Sequence, residues 1–410
     1  MLTAPNSNPQ TILSSKPNID SQSTQPTFAP HATPGKETAI VPLIVGGGPC
    51  GLLAAATLHQ NGIPCVLLEQ ARDTTSDPSR AYPITVIQRS RNFLSHLPLL
   101  LDALCSKGNV LNDKQRQIVE EDGTVNRIAT WGKRTHEPSM SFLRGHLVQT
   151  LRDYVQDHCP SVSSYYGYRG IQLQFDDEGI IVQTSADDSK LMFRANILIV
   201  CEGRNSTTVH QLRIEEEAGL VNTTSGFNYI KKNSATSSLL RKTIITSPNF
   251  TKRFFPDESY PGRITLYGST KGRTSNRVFS MSAFRLPLGH EELQFRSIAS
   301  IVLHQDHALW QVDSPRKLYE FVQENFPHTN VTDLIDDFSV KQFLEARTSQ
   351  YGPVRAIRSL TGTATKSGDG IIVMGDAAHS FPPDLGQGLC AAWEDDSPSW
   401  RGILLHSVQA

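Results

Sequence analysis

The chain has 410 residues and a mass of 45.3 kDa, enough for two or three domains with cores of their own. Its 39 basic and 40 acidic residues leave a formal net charge of -1, so no overall field draws it to nucleic acid or to an anionic membrane, and a small partner is expected. Six scattered cysteines, with no CxxC pair and no His/Cys cluster at ligand spacing, give no metal site and read as reduced thiols. No apolar run approaches the roughly 18–20 residues of a spanning helix, and a soluble protein, cytoplasmic or organellar, is the expectation.

Residues 1–36 hold six prolines and many Ser, Thr and Asn, with Lys16, Asp20 and Lys36 as the only charges. Such a stretch cannot bury enough apolar area to offset its ordering entropy and is expected to be a disordered extension. Its scarcity of acids fits a targeting segment, but it lacks Arg and an amphipathic stripe. The folded part opens with Ile40 to Val45 as an apolar strand, then Gly-Gly-Gly-Pro-Cys-Gly, then Leu52 to Gln60 as an alanine-rich helix closed by Asn61-Gly62. Cys65 to Leu68 follows as a second strand ending in Glu69, which completes a βαβ unit.

Gly46, Gly48 and Gly51 stand at GxGxxG spacing between that strand and helix. Gly46 permits the tight turn, Gly48 lets the backbone approach a pyrophosphate, and Gly51 lets helix pack on strand; the helix N-terminus supplies unpaired N–H donors for phosphate charge. Glu69, at the end of the next strand, would accept hydrogen bonds from an adenosine ribose. Strand, helix and terminal acid in register point to a dinucleotide cofactor rather than to a structural turn.

Further along, Phe142 to Tyr154 reads as a helix, and Ile171 to Phe175 with Ile180 to Gln183 as a hairpin around Asp-Asp-Glu-Gly. Ala195 to Val200 is a buried strand running into Cys-Glu-Gly-Arg-Asn. From about 213 to 365 the pattern is mixed, with alternating strands at Arg263 to Tyr267 and Val278 to Phe284 and helical pieces near Glu291 to Leu303 and Ser314 to Phe326. Ile371 to Met374 then returns as a buried strand. It leads into Gly-Asp-Ala-Ala-His-Ser-Phe-Pro-Pro-Asp-Leu-Gly-Gln-Gly-Leu, residues 375–389. There Asp376 can accept from a sugar or ribitol hydroxyl, and Gly386 and Gly388 free the backbone where a helix starts near Leu389. A helix N-terminus aimed at a flavin pyrimidine edge would stabilise negative charge developing there.

The two long motifs, with Glu69 and Glu394-Asp395, resemble the class A flavoprotein monooxygenases, the single-component FAD-dependent aromatic hydroxylases, and most of all their kynurenine 3-monooxygenase-like branch. The resemblance spans about residues 38 to 395. It implies an α/β fold: a glutathione-reductase-type FAD-binding Rossmann domain interrupted by a mixed β-sheet substrate domain with covering helices. The FAD domain would take residues 37–212 and 366–410, the substrate domain 213–365. It further implies FAD as cofactor, NAD(P)H as a co-substrate docking transiently, and O2 captured on reduced flavin as a C4a-hydroperoxide that passes one oxygen atom to an aromatic or planar small molecule; the flavin carries the hard chemistry. Carried over by residue, the fingerprint glycines fall on Gly46, Gly48 and Gly51, the ribose acid on Glu69 and the ribitol-binding acid on Asp376. The proline beside the flavin ring, the catalytic position, falls on Pro383, and the backbone donors on Gly386, Gln387, Gly388 and Leu389. Arg144 matches an arginine that contacts FAD, and Arg80 one near the flavin and the nicotinamide path.

Departures stand beside these matches. Glu202-Gly203-Arg204-Asn205-Ser206 has Glu where the family has Asp and lacks the closing Arg of that motif, and Cys390 replaces a usual Asn. Beyond Asp395 the family continues in long helices, whereas Pro398 and Gly402 would stop a helix within about two turns. These departures keep one alternative open, a truncated or non-catalytic FAD-binding protein; a second alternative, within the same fold, is an isoprenoid epoxidase, which would predict a broad apolar channel and membrane association. Tyr267, Phe284 and Tyr351 are read as sheet core before cavity lining, and His379 as structural before proton donor.

Overall fold

The computed structural model describes residues 41–73, 83–111, 116–119, 124–128, 139–186, 189–255, 263–268, 280–285, 295–383 and 386–395. The N-terminal extension, Arg80 and the segment after Asp395 lie outside these residues.

The frame is a seven-stranded sheet in the order Val221–Thr223, Thr361–Ala364, Gly370–Val373, Ile197–Val200, β1 (Leu43–Val45), β2 (Cys65–Glu69) and Val162–Tyr166. The five strands from Gly370–Val373 to Val162–Tyr166 run parallel; the two at the other edge are antiparallel additions. Parallel strands joined by crossovers are covered on both faces, which is why Leu-Ile-Val, Ile-Leu-Ile-Val and Gly-Ile-Ile-Val are apolar throughout. Successive side chains serve opposite cores. Ile44, Leu67, Ile199 and Ile372 point to the face packed by α1 (Pro49–Gln60) and the helix Arg144–His158. Leu43, Leu68, Leu198 and Val373 point to the face packed by the hairpin strands Arg169–Asp176 and Gly179–Ala186, the strand Ser189–Ala195 and the helix Thr207–Glu217.

A second seven-stranded sheet runs Ser349–Gln350, Leu239–Ile245, Ser297–His304, Ser280–Arg285, Arg263–Tyr267, Arg116–Val119, Val125–Ile128. The helices Pro315–Asn325 and Asp337–Glu345 contribute Leu318, Val322, Val340 and Phe343 to its core. The antiparallel strands Arg116–Val119 and Val125–Ile128 join through a parallel pairing with Arg263–Tyr267. Tyr351 is buried, and the side chain of Phe284 lies outside the described residues.

The helix expected near Glu291 to Leu303 is corrected. Residues 291–294 lie outside the described residues, and Ser297–His304 is a strand paired with Leu239–Ile245 from Leu239–His304 to Ile245–Ile298. Its β-branched residues fit a pleated surface with two paired neighbours, and that pairing overrides local helical preference. The helix expected from Phe142 starts at Arg144, because Phe142 belongs to the strand Ser139–Leu143.

The chain returns to the first sheet at Gly370–Val373 and ends its described course in the helix Gly388–Glu394, here the return helix. Trp393 is 0% exposed and its Nε1 donates to the Pro49 carbonyl at 3.1 Å. Cys50 Sγ reaches the Ala392 carbonyl at 3.6 Å, and Ser90 Oγ reaches Cys390 Sγ at 2.8 Å. Arg89 pairs with Glu394. The return helix is thereby tied to the start of α1. Trp393→Ala is expected to cost about 3–5 kcal/mol, the usual range for emptying a buried aromatic site. Urea midpoints at unchanged m-value measure it; a loss under about 1 kcal/mol would contradict this packing.

Candidate active site

The turn from β1 into α1 is built around missing side chains. Gly46 has φ +108°, and a Cβ there would lie 2.5 Å from the Cys201 carbonyl oxygen. A Cβ on Gly51 would lie 1.9 Å from the Gly46 carbonyl oxygen. Both obstacles are backbone, so neither position admits a side chain without moving the sheet or the helix. Gly48 differs: a Cβ there meets nothing within 4 Å. It is the N-cap of α1, with no side-chain cap and with Pro49 following. No side chain of the cap position closes the N-terminus of α1, the positive end of the helix dipole, toward the open face of Gly48.

Glu69 closes the turn from the side. Its Oε2 accepts from Gly47 N at 2.6 Å and its Oε1 from Ala71 N at 2.7 Å, which fixes the carboxylate at the end of β2 and leaves lone pairs for a sugar hydroxyl. A Cβ on Gly47 would come 2.8 Å from Glu69 Cβ. Gly47 is thus a contact that GxGxxG spacing does not mark, though the run of three glycines could have suggested it.

These groups open onto one cleft of about 470 Å³, a size usual for small-molecule and cofactor sites (about 300–1,000 Å³). Gly46, Gly48, Glu69, Arg144, Asp376, Gly388 and Leu389 all line it. Arg144 begins its helix and is exposed to the cleft. Asp376 sits in the short turn Gly375–Ala377, reached by solvent through the cleft yet set low among protein atoms. That burial raises its pKa above the usual carboxylate range, and the charges of His379, Arg204 and Arg144 only partly offset it. No described residue hydrogen-bonds its carboxylate. Gly51 stands behind the turn. Pro383, Gly386 and Gln387 lie outside the lining: Gly386, at φ +62°, donates its N–H to the Pro383 carbonyl at 3.0 Å, and Gln387 is the N-cap of the return helix.

The geometry adds residues that sequence reasoning passed over. Beyond Glu69 the cleft is bounded by Arg152, Tyr166, Tyr168 and Arg169. The Arg152 guanidinium lies 3.3 Å over the Tyr166 ring, an arrangement that offers a planar, cationic wall. No spacing rule joins a helix residue to a strand residue in this way. Glu202, the departure from Asp, caps the helix Thr207–Glu217: its Oε2 accepts from Ser206 Oγ at 2.6 Å and Thr208 N at 2.9 Å. The longer side chain still finds helix-start donors.

The donor set fits a flavin dinucleotide at three points: an uncapped helix N-terminus behind an open glycine face, an anchored carboxylate at the end of β2, and an unbonded carboxylate on the far wall. Among the described residues there is no group of three His, Cys, Asp or Glu that could hold a metal ion, and no helix long and apolar enough to cross a membrane.

Comparison with known proteins agrees. The sequence model of the FAD binding domain family matches residues 38–397. Kynurenine 3-monooxygenase of Salinispora arenicola (strain CNS-205) is 24% identical over 366 residues, 86% of this chain and 70% of that enzyme. Kynurenine 3-monooxygenase of Caenorhabditis elegans is 22% identical over 368 residues, 86% of this chain and 71% of that enzyme. Among solved structures, p-nitrophenol 4-monooxygenase from Pseudomonas putida DLL-E4 has a TM-score of 0.58 at 17% identity, covering 91% of this chain and 82% of the other. Aklavinone-11 hydroxylase, solved with FAD and aklavinone, has a TM-score of 0.60 at 15% identity, covering 92% of this chain and 64% of the other. These structures share the fold, and with the family match over most of its length the chain belongs to the FAD binding domain family, that of the class A flavoprotein monooxygenases.

Proposed function

We propose that the protein is an FAD-dependent monooxygenase that consumes NAD(P)H and O2 and places one oxygen atom on an aromatic or other planar small molecule. The observation that carries this reading is the convergence of the open Gly48 face, Glu69 and Asp376 on one cleft. FAD, when bound, supplies the redox chemistry that activates O2. The chain's own residues bind and orient. The first turn of α1 and Gly48 take the pyrophosphate, Glu69 the ribose and Asp376 a ribitol hydroxyl. Gly388 and Leu389, which line the cleft, bring backbone donors to the ring; Gln387 precedes them, and Gly386, whose N–H is taken by the Pro383 carbonyl, shapes the turn beside Pro383. Arg144 adds positive charge at the cleft. Cofactor binding is assigned to 37–212 and 366–410 and substrate binding to 213–365, whose sheet takes in the strands Arg116–Val119 and Val125–Ile128. The kynurenine 3-monooxygenases among the relatives support an aromatic substrate class.

Because a Cβ at Gly48 meets nothing in the protein, Gly48→Val should fold normally and yet fail to take up FAD, since its side chain would fill the space of the pyrophosphate. Full flavin occupancy in purified Gly48→Val would rule out the phosphate cradle. Asp376→Ala should weaken FAD about tenfold or more, the usual loss for a hydrogen bond to a charged group, with the melting temperature of the apoprotein kept. Unchanged affinity on flavin titration would remove Asp376 from the site. For the reaction, a panel of aromatic acids and phenols is added to the FAD-loaded protein with NADPH or NADH. The expected result is faster nucleotide oxidation with one substrate and a hydroxylated product by mass; oxidation with no oxygenated product would argue against a monooxygenase.

A further inference from the structure

Asp395, directly after the return helix, is tied to the turn that carries Asp376. Its Oδ2 accepts from Gly375 N at 2.7 Å, and its carboxylate meets His379 Nε2 at 2.8 Å. The His379 and Asp395 side chains are 16% and 13% exposed, so the pair is shielded from solvent. These two contacts hold both ends of the stretch Gly375 to His379. The segment has little regular structure to hold it: Gly375 is left-handed at φ +62°, and a three-residue 3-10 turn is followed by a two-residue strand. Its other ties include Tyr229 Oη donating to the Ala377 carbonyl at 3.0 Å, Ile357 N donating to the Ala378 carbonyl at 2.8 Å and the pairing of His379 with Ala356.

We propose that Asp395 and His379 are positioning residues of the cofactor site: their ion pair fixes the turn that presents Asp376 to the cleft, so that FAD affinity follows the protonation of His379. The proposal rests on the reading of this cleft as an FAD site. Asp376 can hold a ribitol hydroxyl only if its backbone is fixed to within a fraction of an ångström, and the shielded pair adds a charge-assisted hydrogen bond to the neutral bonds of the segment. Burial works against a charge on His379, but the hydrogen bond and charge of Asp395, and then the charge of Asp376, outweigh it and hold the imidazole pKa above its ordinary value. Other charges border the pair. Arg204 and Arg144 act on Asp376, Arg355 on the adjacent strand stacks on Tyr229 at 4.1 Å, and Glu394 is committed to Arg89. The Phe381 ring lies 5.5 Å from the imidazole. Since the folded-state pKa of His379 is raised, the pair's contribution is complete below the ordinary imidazole pKa and is lost as pH rises through the raised value.

Two measurements test this. In the apoprotein, the imidazole signal that vanishes in His379→Gln is titrated by NMR. It should titrate above the ordinary imidazole value in wild type and fall toward it in Asp395→Asn. FAD is then titrated by flavin fluorescence quenching between about pH 6 and pH 9, which brackets imidazole titration. Wild-type affinity should weaken across the His379 transition. Asp395→Asn should bind FAD about tenfold or more weakly at the acid end and show a flat profile. His379→Gln keeps a neutral donor and should flatten the profile even if Asp395→Asn folds poorly. Equal affinity and the same pH profile in wild type and variants would overturn the proposal while leaving the FAD site intact. A wild-type chain that takes up no FAD would overturn the site reading and this proposal together.

Discussion

The structure depends on one close approach, that of the β1-to-α1 turn to the strand end at Cys201. The space between Gly46 and the Cys201 carbonyl, and between Gly51 and the Gly46 carbonyl, leaves no room for a Cβ on either glycine. Because the strand Ile197–Val200 pairs directly with β1, and Cys201 N donates to the Val45 carbonyl at 2.7 Å, the turn is pressed against a rigid sheet. The helix axis is thereby aimed at the cleft. Everything a phosphate would need, an uncapped N-terminus and an open glycine face, follows from that geometry.

The far wall of the cleft is set by a segment more than three hundred residues later in the chain. The return helix grips α1 through Trp393, Cys50 and Pro49, and through Asp395 it holds the Gly375 turn. The two halves of the site are thus joined to one another by seven helical residues and the acid that follows them. The Glu202 cap and the sheet of Tyr229–Lys232, Val354–Ile357 and His379–Ser380 brace the same corner from the other side. Arg355 links these parts by donating to the Arg204 carbonyl at 2.9 Å while stacking on Tyr229.

Much of this was legible in the sequence where local chemistry dictates backbone. The first βαβ unit, the hairpin around Asp176 to Gly179, the parallel strands and the helix after Ser314 are marked by apolar periodicity and by Gly or Pro, and the structure has them. The sequence around Ser297–His304 reads as helix because the strand's neighbours, Leu239–Ile245 and Ser280–Arg285, supply the pairing that decides its state, and they are remote in sequence. The role of Asp395 and the Arg152–Tyr166 wall were invisible for the same reason. Each joins groups whose separation along the chain carries no periodic signal.

The account's central claim is that the cleft between Gly48, Glu69 and Asp376 holds FAD. The direct measurement is the visible absorption spectrum of the purified chain, taken after incubation with FAD and removal of the excess. A bound flavin spectrum at about one FAD per chain is the result the account predicts. A colourless protein that stays folded and takes up no FAD would contradict it.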